Sequence, residues 1–305
     1  MSVRDTTRHT SARLEAQAKL NLFLRVLARE PSGFHQIETL FQRIALADTV
    51  TVRTGVSGRA LECAGADVGP VEKNLGWRAA NAFATAAGWP DGFAIEIQKR
   101  IPVGSGLGGG SADAAAVLRA LNALAPRRVD AASLAVIAFG LGADVPYLLT
   151  HYALARGTGH GERLIGLQTL PARDVVLLVP PFGVSSGSAF AWHAALDDDG
   201  PSVARAPLLL PAPLSWYAVS RLAANDLETA VFARHPELAE LRNALARSGA
   251  RIARMTGSGS AVFGVYDAER RDADIDVEVG LDLDAFAARM IETETVERVA
   301  GVELL

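Results

Sequence analysis

The chain has a single cysteine, Cys63, among its 305 residues. One thiol excludes an intrachain disulfide and a zinc centre built on several cysteines, and it is compatible with a reducing cytoplasm. No run reaches the roughly 18 to 20 apolar residues needed to cross a bilayer. The opening stretch, MSVRDTTRHTSARLE, is polar and charged and lacks the apolar segment of a signal peptide. The chain is therefore expected to be cytoplasmic, with no membrane partner. A surplus of positive charge is also missing. With a net charge of -4 there is no basic field to draw a nucleic-acid backbone, so no nucleic acid is expected as a partner. There are no internal repeats and no low-complexity segments.

Apolar residues make up 50% of the chain and charged residues 21%, the balance of a packed globular protein rather than a disordered one. The length suits two domains sharing a cleft, although one long domain stays open. Residues 18–29 read as a strand, with Leu20, Leu22 and Leu24 alternating against Asn21, Phe23 and Arg25 before a turn at Pro31, Ser32 and Gly33. Residues 49–53 and 93–98 alternate in the same way, and 74–87 reads as an Ala-rich helix. Further helices are expected over 111–124, 131–139, 225–233 and 237–247, and strands over 175–179 and 261–266. The apolar strand VVLLV after Pro171 marks a domain boundary near residues 170–175. Residues 197–213 have loop composition. The tail from Arg270 starts acidic, then offers a short helix near 282–291 and a final strand.

The most informative stretch is KRIPVGSGLGGGSADAAAVLRALNAL, residues 99–124, in which five glycines fall within seven residues immediately before a helix. Glycine tolerates the backbone conformations that aim successive N–H groups into one concavity, and it lets the backbone approach an anion closely. The free N–H groups of the following helix add to phosphate binding. A flexible turn would need no helix launched from it. Gly104, Gly106 and Gly109 also satisfy G-x-G-x-x-G, but no apolar second strand precedes Asp130, as a dinucleotide-binding fold requires, and Pro102 fits an interior parallel strand poorly. A P-loop is excluded because Gly110, directly before Ser111, stands where the motif's Lys is needed.

The segment PVGSGLGGGSADAA resembles the ATP-binding motif of the GHMP kinases. AKLNLFLRV, GFHQIETLFQ, LGADVPYLL and MTGSGSAVFGVY follow the family's order, specifically that of its branch acting on a cytidyl diphosphate substrate, and the resemblance spans residues 18–266. It implies an α+β fold in the two-domain GHMP kinase architecture, residues 10–172 and 173–305, with the active site in the inter-domain cleft. It also implies that ATP, with Mg²⁺, phosphorylates a hydroxyl of the cytidyl substrate. Other small alcohols such as homoserine or mevalonate, and a non-catalytic nucleotide-binding module, are the alternatives; the GFH turn and LGADVP disfavour the former, and Lys19 together with Asp144 the latter.

Site residues follow position by position. Asp144, alone a helix cap or turn residue, is implied as the general base. Lys19, alone a solvated edge-strand lysine, is implied as its cationic partner. Asn21 lies on the same strand face and is implied as a substrate contact. Phe34 and His35, otherwise packing residues, are implied to stack on and hydrogen-bond the cytosine; many relatives have Tyr at position 34, so a hydroxyl contact is missing here. Asn74, Leu75 and Lys99, otherwise a helix-start Asn with its neighbour and an exposed Lys, match positions around the adenine pocket. Pro102, Val103, Gly104, Ser105, Gly106, Leu107, Gly108, Gly109, Gly110, Ser111, Ala112 and Asp113 form the nucleotide loop, and a side chain at Gly108 is expected to crowd bound phosphate. Gly257, Ser258 and Gly259 are expected near the substrate diphosphate. The metal ligands are unassigned, as is the loop GTGHGE at 157–162.

Overall fold

A computed structural model describes residues 9–196, 205–267 and 281–305. Two sheets organise it. The first is built on the long antiparallel pair β1 (Ser11–Arg29) and β2 (His35–Thr54). One half of β2 pairs with β4 (Phe93–Gln98), which carries β3 (Arg59–Ala64) in parallel, and the other half pairs with β5 (Leu154–Gly159) and through it β6 (Arg163–Gly166). Packed with this sheet are α1 (Leu75–Ala87), α2 (Gly109–Leu124), α3 (Ala131–Leu141) and the short α4 (Val145–Leu149). Alternation along β1 does not leave one face in water, because Leu20, Asn21, Leu22 and Phe23 are all buried.

The second sheet has the order β10 (Arg289–Glu294), β7 (Asp174–Val179), β9 (Val262–Val265), β8 (Ile252–Met255). Val175, Leu177 and Val179 on β7 join the core of the first sheet, while Val176 and Leu178 join a second core with α7 (Glu228–Phe232) and α8 (Pro236–Arg247). Burial on both faces explains the unbroken apolar run in β7. Two helices that composition did not reveal, α5 (Ser186–Ala194) and α6 (Trp216–Leu222), each begin at a serine that caps a backbone N–H, Ser185 and Ser215.

The helix expected over 282–291 is absent. A single 3₁₀ turn at Asp284–Phe286 gives way to β10, whose register against β7 fixes it as a strand. The helix expected from 225 starts only at Glu228, since Asn225 is used in a bridge to Leu24 and in bonds to the carbonyls of Met255 and Gly257. The final strand β11 (Glu303–Leu304) returns to pair with β1. The acidic start of the tail, 270–280, and the DDDG part of the expected loop lie outside the described residues.

Candidate active site

A cleft of about 1530 Å³ runs between the glycine loop, the end of β1, α4 and the loop after β8. That volume exceeds the usual range for one small ligand and is enough for two side by side. At its centre is Lys19. The register of β1 on β2 shifts between Gln17 and Lys19 and again between Asn21 and Phe23, so Lys19 and Asn21 occupy a short segment between two irregularities. Such breaks re-aim side chains. The Lys19 ammonium, 2% exposed, donates to Asn21 Oδ1 at 2.6 Å and lies 3.3 Å from Asp144 Oδ2. Asn21 is held in turn by donating to Thr39 Oγ1 at 2.8 Å.

Asp144 stands at the head of α4, yet its side chain makes no capping bond and keeps partial access to solvent. A carboxylate that does not cap its own helix and instead faces a buried ammonium across an open cleft is free to accept a proton from a ligand.

The glycine loop joins this centre at several points. Lys19 N–H donates to Leu107 O at 3.0 Å, and Gly104, Gly106 and Gly108 all have positive φ. A Cβ on Gly106 would sit 2.3 Å from Thr256 O, so only glycine lets this loop touch the MTGSGS loop. The latter is tied back by Ala261 N–H donating to Ser105 O at 3.0 Å, and a Cβ on Gly257 would lie 3.1 Å from the Lys19 ammonium nitrogen. Two loops and one lysine are thus interlocked. The backbone N–H groups at the start of α2, headed by Gly109, Gly110 and Ser111, open to the same cleft.

Three expected contacts do not line the cleft. Leu107 and Ala112 turn their side chains into the core, and Gly259 packs against Met255. Lys99, expected with an exposed amine as its alternative reading, is buried. Its ammonium bonds Asp48 and, at 2.8 Å, Asp113, while Asp48 Oδ1 accepts from Arg100 and Ile101 N–H. Burial, opposed by Lys99 and reinforced by the negative charge of Asp48, raises the Asp113 carboxyl to about 7. The triad therefore anchors the strand leading into the glycine loop to α2. Asn74 caps α1 through bonds from Gly76 and Trp77 N–H, and with Leu75 it borders the cleft.

At the far end, the turn after β1 presents two stacked aromatic pairs. Phe34, 63% exposed, stacks on His160 at 5.2 Å between ring centres, and His35 stacks on Phe190 of α5 at 5.1 Å. His160 is steadied by Glu30 at 3.3 Å. Burial, reinforced by the nearby Arg29 and His193, lowers the His35 pKa from its ordinary value and so favours the neutral imidazole. Sequence reasoning missed His160 and Phe190. The histidine inside GTGHGE, and one aromatic among the small residues of SGSAFA, were the available signals.

Two family models match the chain: the GHMP kinases N terminal domain over residues 74–151 and the GHMP kinases C terminal over 214–277. The 4-diphosphocytidyl-2-C-methyl-D-erythritol kinase of Solibacter usitatus is 40% identical over 265 residues, 86% of this chain and 82% of its own length. The chain belongs to the GHMP kinase family. The enzyme of the same name from Pelotomaculum thermopropionicum is 41% identical over 255 residues, 82% of this chain and 87% of its own. Among solved structures, a 4-(cytidine 5'-diphospho)-2C-methyl-D-erythritol kinase matches with a TM-score of 0.74 and 38% identity over 93% of this chain and 98% of that one. A homoserine kinase from Cytophaga hutchinsonii, TM-score 0.70 at 16% identity and complete coverage of both chains, shares the fold. The expected α+β GHMP architecture and kinase class are therefore those of the chain.

Proposed function

We propose that this chain transfers the γ-phosphoryl group of ATP to the 2-hydroxyl of 4-diphosphocytidyl-2-C-methyl-D-erythritol, in non-mevalonate isoprenoid precursor synthesis in the cytoplasm. The observation that carries the reading is the 3.3 Å contact of Lys19 and Asp144 where two glycine loops meet in one cleft. Asp144 takes the hydroxyl proton as general base. Lys19 keeps that carboxylate ionised and stabilises negative charge developing on the acceptor oxygen. Asn21 orients the acceptor. Backbone N–H groups of the glycine loop and α2 hold the ATP phosphates, and Asn74 and Leu75 border the adenine. Lys99 contributes by fixing the loop, since its amine is committed to Asp48 and Asp113.

The division near residue 173 sets the nucleotide side against the Gly257–Ser258 side, where the substrate diphosphate lies. The cytosine occupies the aromatic end, between the faces offered by Phe34, His35 and Phe190. Oxygen donors at Ser111 and Asp144 would suit a hard divalent cation such as Mg²⁺. When bound it offsets charge on the phosphate oxygens. Among the described residues no cluster of three His, Cys, Asp or Glu side chains is placed to hold a metal.

ADP release measured with a panel of alcohols tests the proposal. Turnover is expected only with the cytidyl substrate and a divalent cation. Equal or faster release with homoserine or mevalonate would overturn it.

A further inference from the structure

Arg43 is a buried charge that the proposed chemistry leaves unused. It lies on β2 directly opposite Lys19 in the strand register and is 2% exposed. Among the described residues it has no carboxylate partner. Its guanidinium instead runs to the carbonyl end of α4, where Nη2 donates to Leu148 O at 2.8 Å, Thr150 O at 3.1 Å and Tyr147 O at 3.2 Å. Nε donates to Tyr152 O at 3.2 Å, and the Tyr147 ring lies 5.1 Å away. Carbonyls at a helix end have no partner within the helix, and a cation suits them.

The helix held this way has five residues and carries Asp144 at its head. One turn has no stability of its own in water, so its position is set by what grips it. Lys19 meets the acidic end and Arg43 the carbonyl end, from two facing positions on one strand pair. A shift at either end moves the whole turn, because little backbone lies between the ends to absorb it.

We propose that Arg43 is a positioning residue for phosphoryl transfer, clamping the carbonyl end of α4 so that Asp144 is held at Lys19 and the acceptor hydroxyl. The inference rests on the reading of Asp144 as the base. Tyr147 supports the same turn by donating its hydroxyl to Ala153 O at 2.8 Å and stacking on Phe41 at 4.6 Å.

The test uses the full-length enzyme with five variants: Arg43→Lys, Asp144→Asn, Tyr147→Phe, and Arg43→Lys and Tyr147→Phe each combined with Asp144→Asn. Arg43→Lys keeps the charge and loses the planar fork that reaches several carbonyls at once. Its kcat is expected to fall by roughly 10- to 100-fold, the scale of a misplaced reacting group, with both KM values within about twofold of the parent. In the Asp144→Asn background, where there is no base to position, the same substitution is expected to add less than about twofold to the loss. A proportional further loss there, or raised KM at unchanged kcat, would overturn the inference. Should Arg43→Lys not fold, Tyr147→Phe carries the test through a smaller fall in kcat that likewise disappears in the Asp144→Asn background; a rise in KM alone would count against the clamp. Asp144→Asn at the parent rate would remove the reading of the base, and with it the inference, whatever Arg43→Lys does.

Discussion

Replacing Gly108 with alanine separates two jobs of the glycine loop. The residue has φ of 77°, and a Cβ there would lie 3.1 Å from Lys19 Cε, 3.2 Å from Lys19 Cγ and 3.5 Å from Leu148 Cδ1. The crowding expected against bound phosphate is thus directed first at the stem of the lysine. Lys19 is pinned at its tip by Asn21 and Asp144, so a push at mid-chain displaces the ammonium. The left-handed conformation costs a non-glycine residue about 1–2 kcal/mol, which lowers the melting temperature by only a few degrees in a chain of this size. Misplacing a charge that acts in the transition state is larger, about 100-fold in kcat or roughly 2.7 kcal/mol. Gly108→Ala is therefore expected to fold, to bind ATP within a few-fold of the parent by calorimetry, and to lose about two orders of magnitude in the ADP-release assay. Gly55→Ala is the control, since it carries the same left-handed conformation, with φ of 76°, and its Cβ would meet nothing within 4 Å. A Gly108→Ala enzyme with parental kcat and weakened ATP binding would refute the reasoning and turn that face of the loop to the nucleotide.

Lys99→Met leaves Asp48 and Asp113 buried together without their cation, a loss of about 3–5 kcal/mol at pH 8, on the order of 10 °C in melting temperature. Burial raises the Asp113 pKa above its unfolded value, so in this variant stability falls as pH rises through the folded pKa; melts at pH 5.5 should recover part of the loss, and equal losses at both pH values would contradict this. The His35 pKa is depressed, so its ring stays neutral further into mild acid than a free imidazole; CDP affinity should hold through neutral pH and weaken only on further acidification, and a His35→Ala protein that keeps the same profile would exclude the imidazole as the cause. For the same folded variant, discrimination of CDP from UDP should narrow, because an unpaired polar base edge costs about 1–3 kcal/mol. Phe34→Ala should weaken CDP and UDP together by roughly 1–3 kcal/mol of lost stacking, and an effect confined to one nucleotide would assign base choice to Phe34.

The parts of the site that were legible in sequence are those where a residue type has one physical use. Glycines at 104, 106 and 108 announce positive φ, and a lysine within the apolar strand at 19 announces a partner to be found. Partners far along the chain were not legible. Asp48 for Lys99, His160 for Phe34, Phe190 for His35 and the α4 carbonyls for Arg43 meet through the tertiary fold, and no local pattern marks them. The fold shows the same split. Period-two alternation identified β4 at its observed bounds, and the strand expected at the end of the tail is β11, whereas β10, expected as part of a helix, is a strand through its register on β7. In α3 the apolar residues surround the helix, leaving Val136 and Phe139 exposed, so periodicity says little about its facing.

The central claim, that Asp144 opposite Lys19 performs the proton transfer accompanying phosphorylation of the cytidyl substrate, is tested most directly by single-turnover ADP formation with Asp144→Asn. Calorimetry with ATP and with the cytidyl substrate is run on the same folded protein. The account predicts that both ligands bind within a few-fold of the parent while the rate falls by about 10²- to 10⁴-fold, the range of a positioned general base. A rate equal to that of the parent, with both ligands bound, would contradict it.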